Sequence, residues 1–307
     1  MENANLVVVG SVAYDSIETP TQSHPDVLGG SATYFSLAAS HYARPGIVAV
    51  VGQDFRPEHT RLLQDHSVRL DGLETAPGKT FRWGGRYDKD LKERDTLFTH
   101  LNVFAEFSPR IPAAFRDTPY LFLANIDPDL QLQVLAQCTG PRWVACDTMN
   151  FWIKGKLDSL LRLLPKIDAL FLNDSEAFEL TGHRNLLEAA RWIQARGPAT
   201  AVIKKGEHGA ILVSKDQVFV VPAFLLDSVA DPTGAGDTFA GGMAAAIAAL
   251  DDTSPEALRF AAAMGTVMAS FCVEDFGPFR LARLNMDEIR DRLRRYRELI
   301  RIPDRAI

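Results

Sequence analysis

The sequence predicts an α/β protein built on a mostly parallel sheet, and three observations carry that expectation. Short apolar runs bounded by turn residues recur along the 307 residues. The runs are continuous rather than alternating, as strands buried on both faces of a sheet must be. Helix-like segments lie between most of them, which places helices on both sides of the sheet.

In chain order the strand runs are "LVVVGSV", "IVAVVG", "YLFLANI", "WVACDTM", "ALFLND", "AVIKKG" and "AILVS". The helix-like segments include Ser31 to Ala43, Asn185 to Arg196 and Pro255 to Cys272. Ligands of such folds gather at the carboxyl ends of the strands. Asp15 falls shortly after the first run, and Asn125, Asp147 and Asn173 close later ones. From Gly78 to Phe107 the pattern breaks: aromatic and β-branched residues flank a charged turn, as in an antiparallel hairpin inserted into the α/β body. Set near the strand ends, that hairpin would act as a lid that keeps water from a reactive phosphate.

Composition narrows the function. Hydrophobic residues make up 47% and charged residues 23%, ordinary for a globular chain. A formal net charge of -6 disfavours nucleic acid or an anionic membrane as partner, so any anion must be held locally. Three cysteines, without a CxxC pair, argue against a disulfide framework. The start "MENANLVVVG" does not read as a signal peptide, and no apolar stretch is long enough to span a bilayer, so a cytoplasmic location is expected. Seven scattered histidines show no zinc-ligand spacing.

The chemistry concentrates in "DPTGAGDTFAGG", Asp231 to Gly242. Small residues let backbone N–H groups approach a ligand closely. The alanine-rich stretch that follows predicts a helix, so Gly234, Ala235, Gly236 and Asp237 should stand at a helix N-terminus, where unpaired N–H groups and the dipole hold an anion. A carboxylate beside an anion site suits a general base that takes a proton from an attacking hydroxyl. A glycine-rich turn with Asp237 as a helix cap is the structural alternative.

The full string resembles the C-terminal signature of the PfkB family of carbohydrate and nucleoside kinases. Further landmarks follow in that family's order. "GSVAYD" is similar to its first segment, where an aspartate, here Asp15, binds substrate hydroxyls. "GGSATYFSLAAS" resembles its diglycine signature (Gly29, Gly30), and "VGQDF" its next landmark. "NDSEAFELTG" resembles the NxxE segment, which implies Asn173 at the nucleotide and Glu176 at Mg2+ through water. "VIKKGEHGAILV" resembles the nucleotide-binding strand and loop, with Gly206 and Gly209 matching. The resemblance implies a ribokinase-like three-layer α/β/α fold with a small β lid, in one domain over residues 1–307, the lid coming from about 12–27 and 78–107. It implies ATP and Mg2+, a K+ site near Asp231, Thr233 on the nucleotide side, and dimerisation through the lid.

Two departures touch the substrate side. Ala13 stands where sugar kinases of the family carry asparagine, and Ser31, Ala32, Thr33 and Tyr34 replace a Lys-Gly-x-Asn segment. A ribokinase is therefore not expected; the resemblance implies an acceptor among small sugars, cyclitols and nucleosides, with Asn125 and Arg82 as further contacts and Lys204 at a nucleotide phosphate. A ligand-binding regulator on the same fold is the alternative, though a binder needs no base. A dinucleotide oxidoreductase fits poorly, since no GxGxxG follows the first strand. "GLETAPGKT" misses a P-loop by one residue of spacing.

Overall fold

The apolar runs fold into one nine-stranded sheet in a computed structural model that describes residues 4–91, 94–215 and 217–303. The chain begins with β1 (Leu6–Val9), leaves the sheet as β2 (Ala13–Glu18) and β3 (Ser23–Gly29), and returns through α1 (Ser31–Ala39) and β4 (Pro45–Gly52). After α2 (Pro57–Asp65) and β5 (Arg69–Ala76) it departs again as β6 (Phe81–Tyr87) and β7 (Arg94–His100). Strands and helices then alternate: β8 (Tyr120–Leu123), α3 (Pro128–Leu135), β9 (Trp143–Asp147), α4 (Asn150–Gly155), α5 (Leu157–Leu163), β10 (Ala169–Asn173), α6 (Asp174–Thr181), α7 (Leu186–Gln194) and β11 (Thr200–Lys204). β12 (Ala210–Ser214) and β13 (Val218–Val221) complete the sheet. They precede α8 (Ala235–Leu250), α9 (Pro255–Cys272), α10 (Phe279–Ala282) and α11 (Met286–Leu299).

The sheet order is β13-β12-β11-β10-β9-β8-β1-β4-β5, parallel from β11 to β5 and antiparallel at β12 and β13. Successive side chains of a strand point to opposite faces. Val8, Phe122 and Phe171 meet α1, α8 and α9 on one side, while Val7, Leu121 and Leu172 meet α5 and α7 on the other. Both faces being core is why the runs are continuously apolar. The layers are helix, sheet, helix, the ribokinase-like arrangement. On the α1 side Gly241 of α8 abuts the Phe35 backbone, where a Cβ would overlap the carbonyl oxygen, so the two helices approach closely.

β2, β3, β6 and β7 form a second sheet of order β3-β2-β6-β7. Its outer pairs are antiparallel and the central β2–β6 pair is parallel. Residues 92 and 93, in the turn of the expected hairpin, lie outside the described residues. Asp15 belongs to this small sheet rather than to the end of the first strand. Two strands escaped the sequence reading. β5 is an edge strand interrupted by Asp71 and Glu74, and β13 has only four residues, with Val218 and Val220 exposed. α1 stops at Ala39 rather than Ala43, because the chain must turn into β4 at Pro45. Among the described residues no helix is long and apolar enough to cross a membrane.

Candidate active site

Three parallel strands deliver polar groups to one end of the sheet. In register, Asn173 of β10 stands beside Lys204 of β11, with Asp147 closing β9. Lys204 Nζ donates to Asp147 Oδ2 at 2.6 Å, with the two side chains 19% and 4% exposed. The other Asp147 oxygen accepts the Thr148 N–H at 2.9 Å. Asn173 caps α6: its Oδ1 accepts the Glu176 N–H at 2.8 Å, and Glu176 Oε2 accepts the Asn173 N–H at 2.7 Å. This reciprocal pair explains the Asn-x-x-Glu spacing structurally. Burial pushes the Glu176 carboxyl up to about 7; Asp147 adds to the rise, and Lys204 opposes it.

The glycine-rich string turns into α8 beside this edge. Gly234, with φ 76°, caps the helix without any side-chain hydrogen bond, and the Tyr34 ring fills the place a Cβ would need. Ala235 N–H donates to the Pro232 carbonyl at 3.2 Å, so among the described residues Gly236 and Asp237 are the first-turn N–H groups without a backbone acceptor, the Asp237 N–H facing its own carboxyl. Lys204 Nζ lies 3.3 Å from where a Cβ on Gly236 would stand. Asp237 is driven up to about 7 by burial and then by the Asp147 carboxylate, against the charges of Lys204 and Arg94. Upstream, Asp231 is fully buried; its Oδ1 accepts the Thr233 N–H at 2.8 Å, while its Oδ2 has no hydrogen-bond partner among the described residues. Thr233 Oγ1 meets the Tyr87 hydroxyl at 3.0 Å, which ties the small sheet to this loop.

The small sheet closes the other side. Asp15 is 5% exposed, and burial, followed by the Asp231 charge, raises its carboxyl to about 7. A Cβ at Gly29 would overlap that carboxylate, and Gly30 takes a φ of 93° while crowding the Ser11 carbonyl. The diglycine therefore makes room for Asp15. Beside it in register stands Trp83, and the Arg94 guanidinium lies 4.7 Å over the Trp83 ring.

Some expected contacts are placed elsewhere. Arg82, assigned to the substrate, forms ion pairs with Asp26 and Asp54 on the face of the small sheet opposite Asp15. Asn125 accepts from Trp152 Nε1 at 2.9 Å and donates to Met149 Sδ at 3.1 Å, so its amide positions α4. Gly209, with φ 84°, would overlap Val221 and thus shapes the approach to β12, while Gly206 opens onto free space. Asp15, Gly29, Gly30, Asn173, Glu176, Lys204, Asp231, Thr233 and Gly234 to Asp237 do converge. Tyr87 and Arg94 join them without having been anticipated. In sequence each is one residue of a charged turn, and only the β6–β7 register, Tyr87 opposite Arg94, aims them at the loop.

Residues 122–277 match the family described as pfkB family carbohydrate kinase. The chain is 29% identical over 248 residues to the cytidine kinase of Thermococcus kodakarensis, covering 78% of this chain and 87% of that one. It is 25% identical over 308 residues to the inositol 3-kinase of Arabidopsis thaliana, covering 95% and 80%. The solved nucleoside kinase of Methanocaldococcus jannaschii, a member of the ribokinase family, superposes with a TM-score of 0.77 at 21% identity, covering 96% of this chain and 100% of that one.

Proposed function

This chain belongs to the pfkB family of carbohydrate kinases and is a phosphotransferase, and from that premise we propose that it moves the γ-phosphoryl group of ATP to a hydroxyl of a small sugar, cyclitol or nucleoside. The observation that carries this reading is Asp237 in the open first turn of α8, its carboxyl raised to about 7, with Asp15 across from it. A base works best when its pKa lies near the working pH. Asp237 takes the acceptor's proton as the hydroxyl attacks. The Gly236 and Asp237 N–H groups, backed by the helix dipole, hold the charge spread over the transferring group. Lys204 stands beside Gly236, where a donor phosphate would share it with Asp147. Asp15 accepts hydrogen bonds from the acceptor's hydroxyls, and the small sheet shuts out water. Little covalent work is needed, because phosphoryl transfer is mostly positioning and charge stabilisation.

Glu176, with the Asp147 carboxylate near it, would hold Mg2+ on the phosphate side, where the ion would neutralise charge across the phosphates. The unpartnered Oδ2 of buried Asp231 fits K+. A coupled ADP-release assay over pentoses, hexoses, inositols and nucleosides, with magnesium and in potassium, sodium or tetramethylammonium buffers, tests the reading. Turnover with one acceptor class, fastest in potassium, is expected. Absence of turnover with all of them would return the chain to a ligand-binding role, and equal rates in the three buffers would remove the cation.

A further inference from the structure

Two features stand outside the chemistry so far: the "VGQDF" landmark, Val51 to Phe55, and Arg82 with its two carboxylate partners. They meet on the outer face of the small sheet. Asp54 Oδ1 accepts both the Thr80 N–H and the Thr80 hydroxyl at 2.7 Å, and its Oδ2 accepts Arg82 Nη2 at 3.0 Å. Thr80, fully buried, in turn accepts the Gly52 N–H at its Oγ1 at 3.0 Å, and the Gln53 N–H donates to the Gly78 carbonyl at 2.9 Å. A Cβ at Gly52 would overlap the backbone from Gly78 to Thr80, so the loop after β4 and the entry to β6 lie back to back. Arg82 also pairs with Asp26 of β3, and its guanidinium lies 5.1 Å from the ring centre of Tyr14, its register partner on β2. The Arg56 guanidinium stands 5.2 Å from the same ring centre, and the Tyr14 hydroxyl accepts the Arg56 N–H at 2.9 Å.

We infer that Asp54 is a positioning residue for the acceptor: it fixes β6 against the large sheet and, through Arg82 and Tyr14, sets where the Asp15 carboxylate stands. This rests on the kinase reading above, in which Asp15 accepts hydrogen bonds from the acceptor. Successive residues of a strand point to opposite faces, so a grip on Tyr14 at the outer face fixes Asp15 at the inner one. A polar clamp suits this work better than an apolar seam. Apolar burial is non-directional, whereas charge-assisted hydrogen bonds specify angle as well as distance. At the other end of β6 the Tyr87 hydroxyl meets Thr233 at 3.0 Å, so the strand is held at both ends and Asp54 secures the one remote from the glycine-rich turn. A reacting group displaced by about 1 Å can cost on the order of 10² in rate, which is how a clamp away from the chemistry bears on turnover.

Kinetics of Asp54→Asn and Arg82→Gln against wild type, with the best acceptor from the ADP-release assay, test this. Asparagine can still accept from Thr80 but loses the charge that holds Arg82, so the melting temperature of Asp54→Asn should stay close to wild type. In both variants kcat/KM for the acceptor should fall on the order of 10–10². KM for ATP should not change, since β9, β8 and β1 separate β4 from β10 and β11 in the sheet. Arg82→Lys keeps a charge within reach of Asp54 but not the planar fork, and should recover part of the loss. Amide hydrogen exchange gives a second readout: Tyr14 to Glu18 should exchange faster in Asp54→Asn, with α8 unaffected. Should Asp54→Asn fail to fold, Arg82→Gln and Arg82→Lys carry the same test. A lower melting temperature with unchanged acceptor kinetics would make the clamp purely structural and overturn the inference. So would a KM for ATP that rises in step with that for the acceptor, or a loss in Arg82→Gln that Asp54→Asn does not share. Each of these leaves the kinase reading standing, whereas a wild-type protein inactive on every acceptor would overturn both.

Discussion

Asp237 takes its character from its neighbours. Burial and the Asp147 carboxylate raise its pKa to about 7, and Lys204 and Arg94 restrain the rise. Asp237→Asn keeps the shape of the side chain but removes the ability to accept a proton. We expect kcat to fall on the order of 10²–10⁴, while ATP affinity stays close to wild type because the α8 N–H groups remain. In the unaltered enzyme, turnover should decline as pH falls below about 7, where the carboxyl takes up its proton. Measuring kcat, nucleotide affinity and melting temperature on one purified variant separates these effects. Substantial residual kcat at saturating acceptor would show that another group is the base. Glu176 illustrates a residue with two burdens, since the carboxylate expected near magnesium also closes the α6 cap. The Asn-x-x-Glu spacing is compatible with both, and sequence had no means to rank them.

At the level of elements, the position of the α8 N-terminus depends on how α8 lies against its neighbours. Gly241 faces the Phe35 backbone of α1 with no room for a Cβ between them. Gly241→Ala should force those helices apart at a cost of about 1–3 kcal/mol, seen as a lower midpoint in denaturant unfolding. Gly155 provides the contrast, because a Cβ there meets nothing within 4 Å. Gly155→Ala should be neutral or stabilising by up to about 1 kcal/mol. Equal effects at the two positions would mean that the α1–α8 approach is not a constraint. In sequence both are glycines within helical stretches. What separates them is the partner across the contact.

Across the whole molecule, charge burial sets how stability responds to pH. Asp15, Glu176 and Asp237 each hold a proton up to about 7, above the ordinary carboxylate range. A group bound more tightly to its proton in the folded chain contributes stability that is complete at low pH and is lost as pH rises through its folded pKa. The ligand-free protein should therefore lose melting temperature between about pH 5 and about pH 8, and Asp15→Asn combined with Glu176→Gln should flatten that slope. A melting temperature that climbs over this interval would contradict the assignment. Much of the molecule was legible beforehand. Continuous apolar runs separated by helical segments specify a parallel sheet covered on both faces, because such strands have no polar side to show water. The string around Asp237 marks the helix start, since small residues and an alanine-rich stretch are local properties. Edge strands β5 and β13 were hidden because one side of each faces solvent, and their pattern then resembles a loop. The Arg82 pairs with Asp26 and Asp54, the Lys204–Asp147 pair and the seat of Arg94 over Trp83 all depend on which strands become neighbours. Sequence alone determined the layers and the glycine-rich turn into α8, because periodicity and turn chemistry act over a few residues. Only the tertiary structure decided which charges share the site, because ion pairing and desolvation depend on distances between segments far apart in the chain.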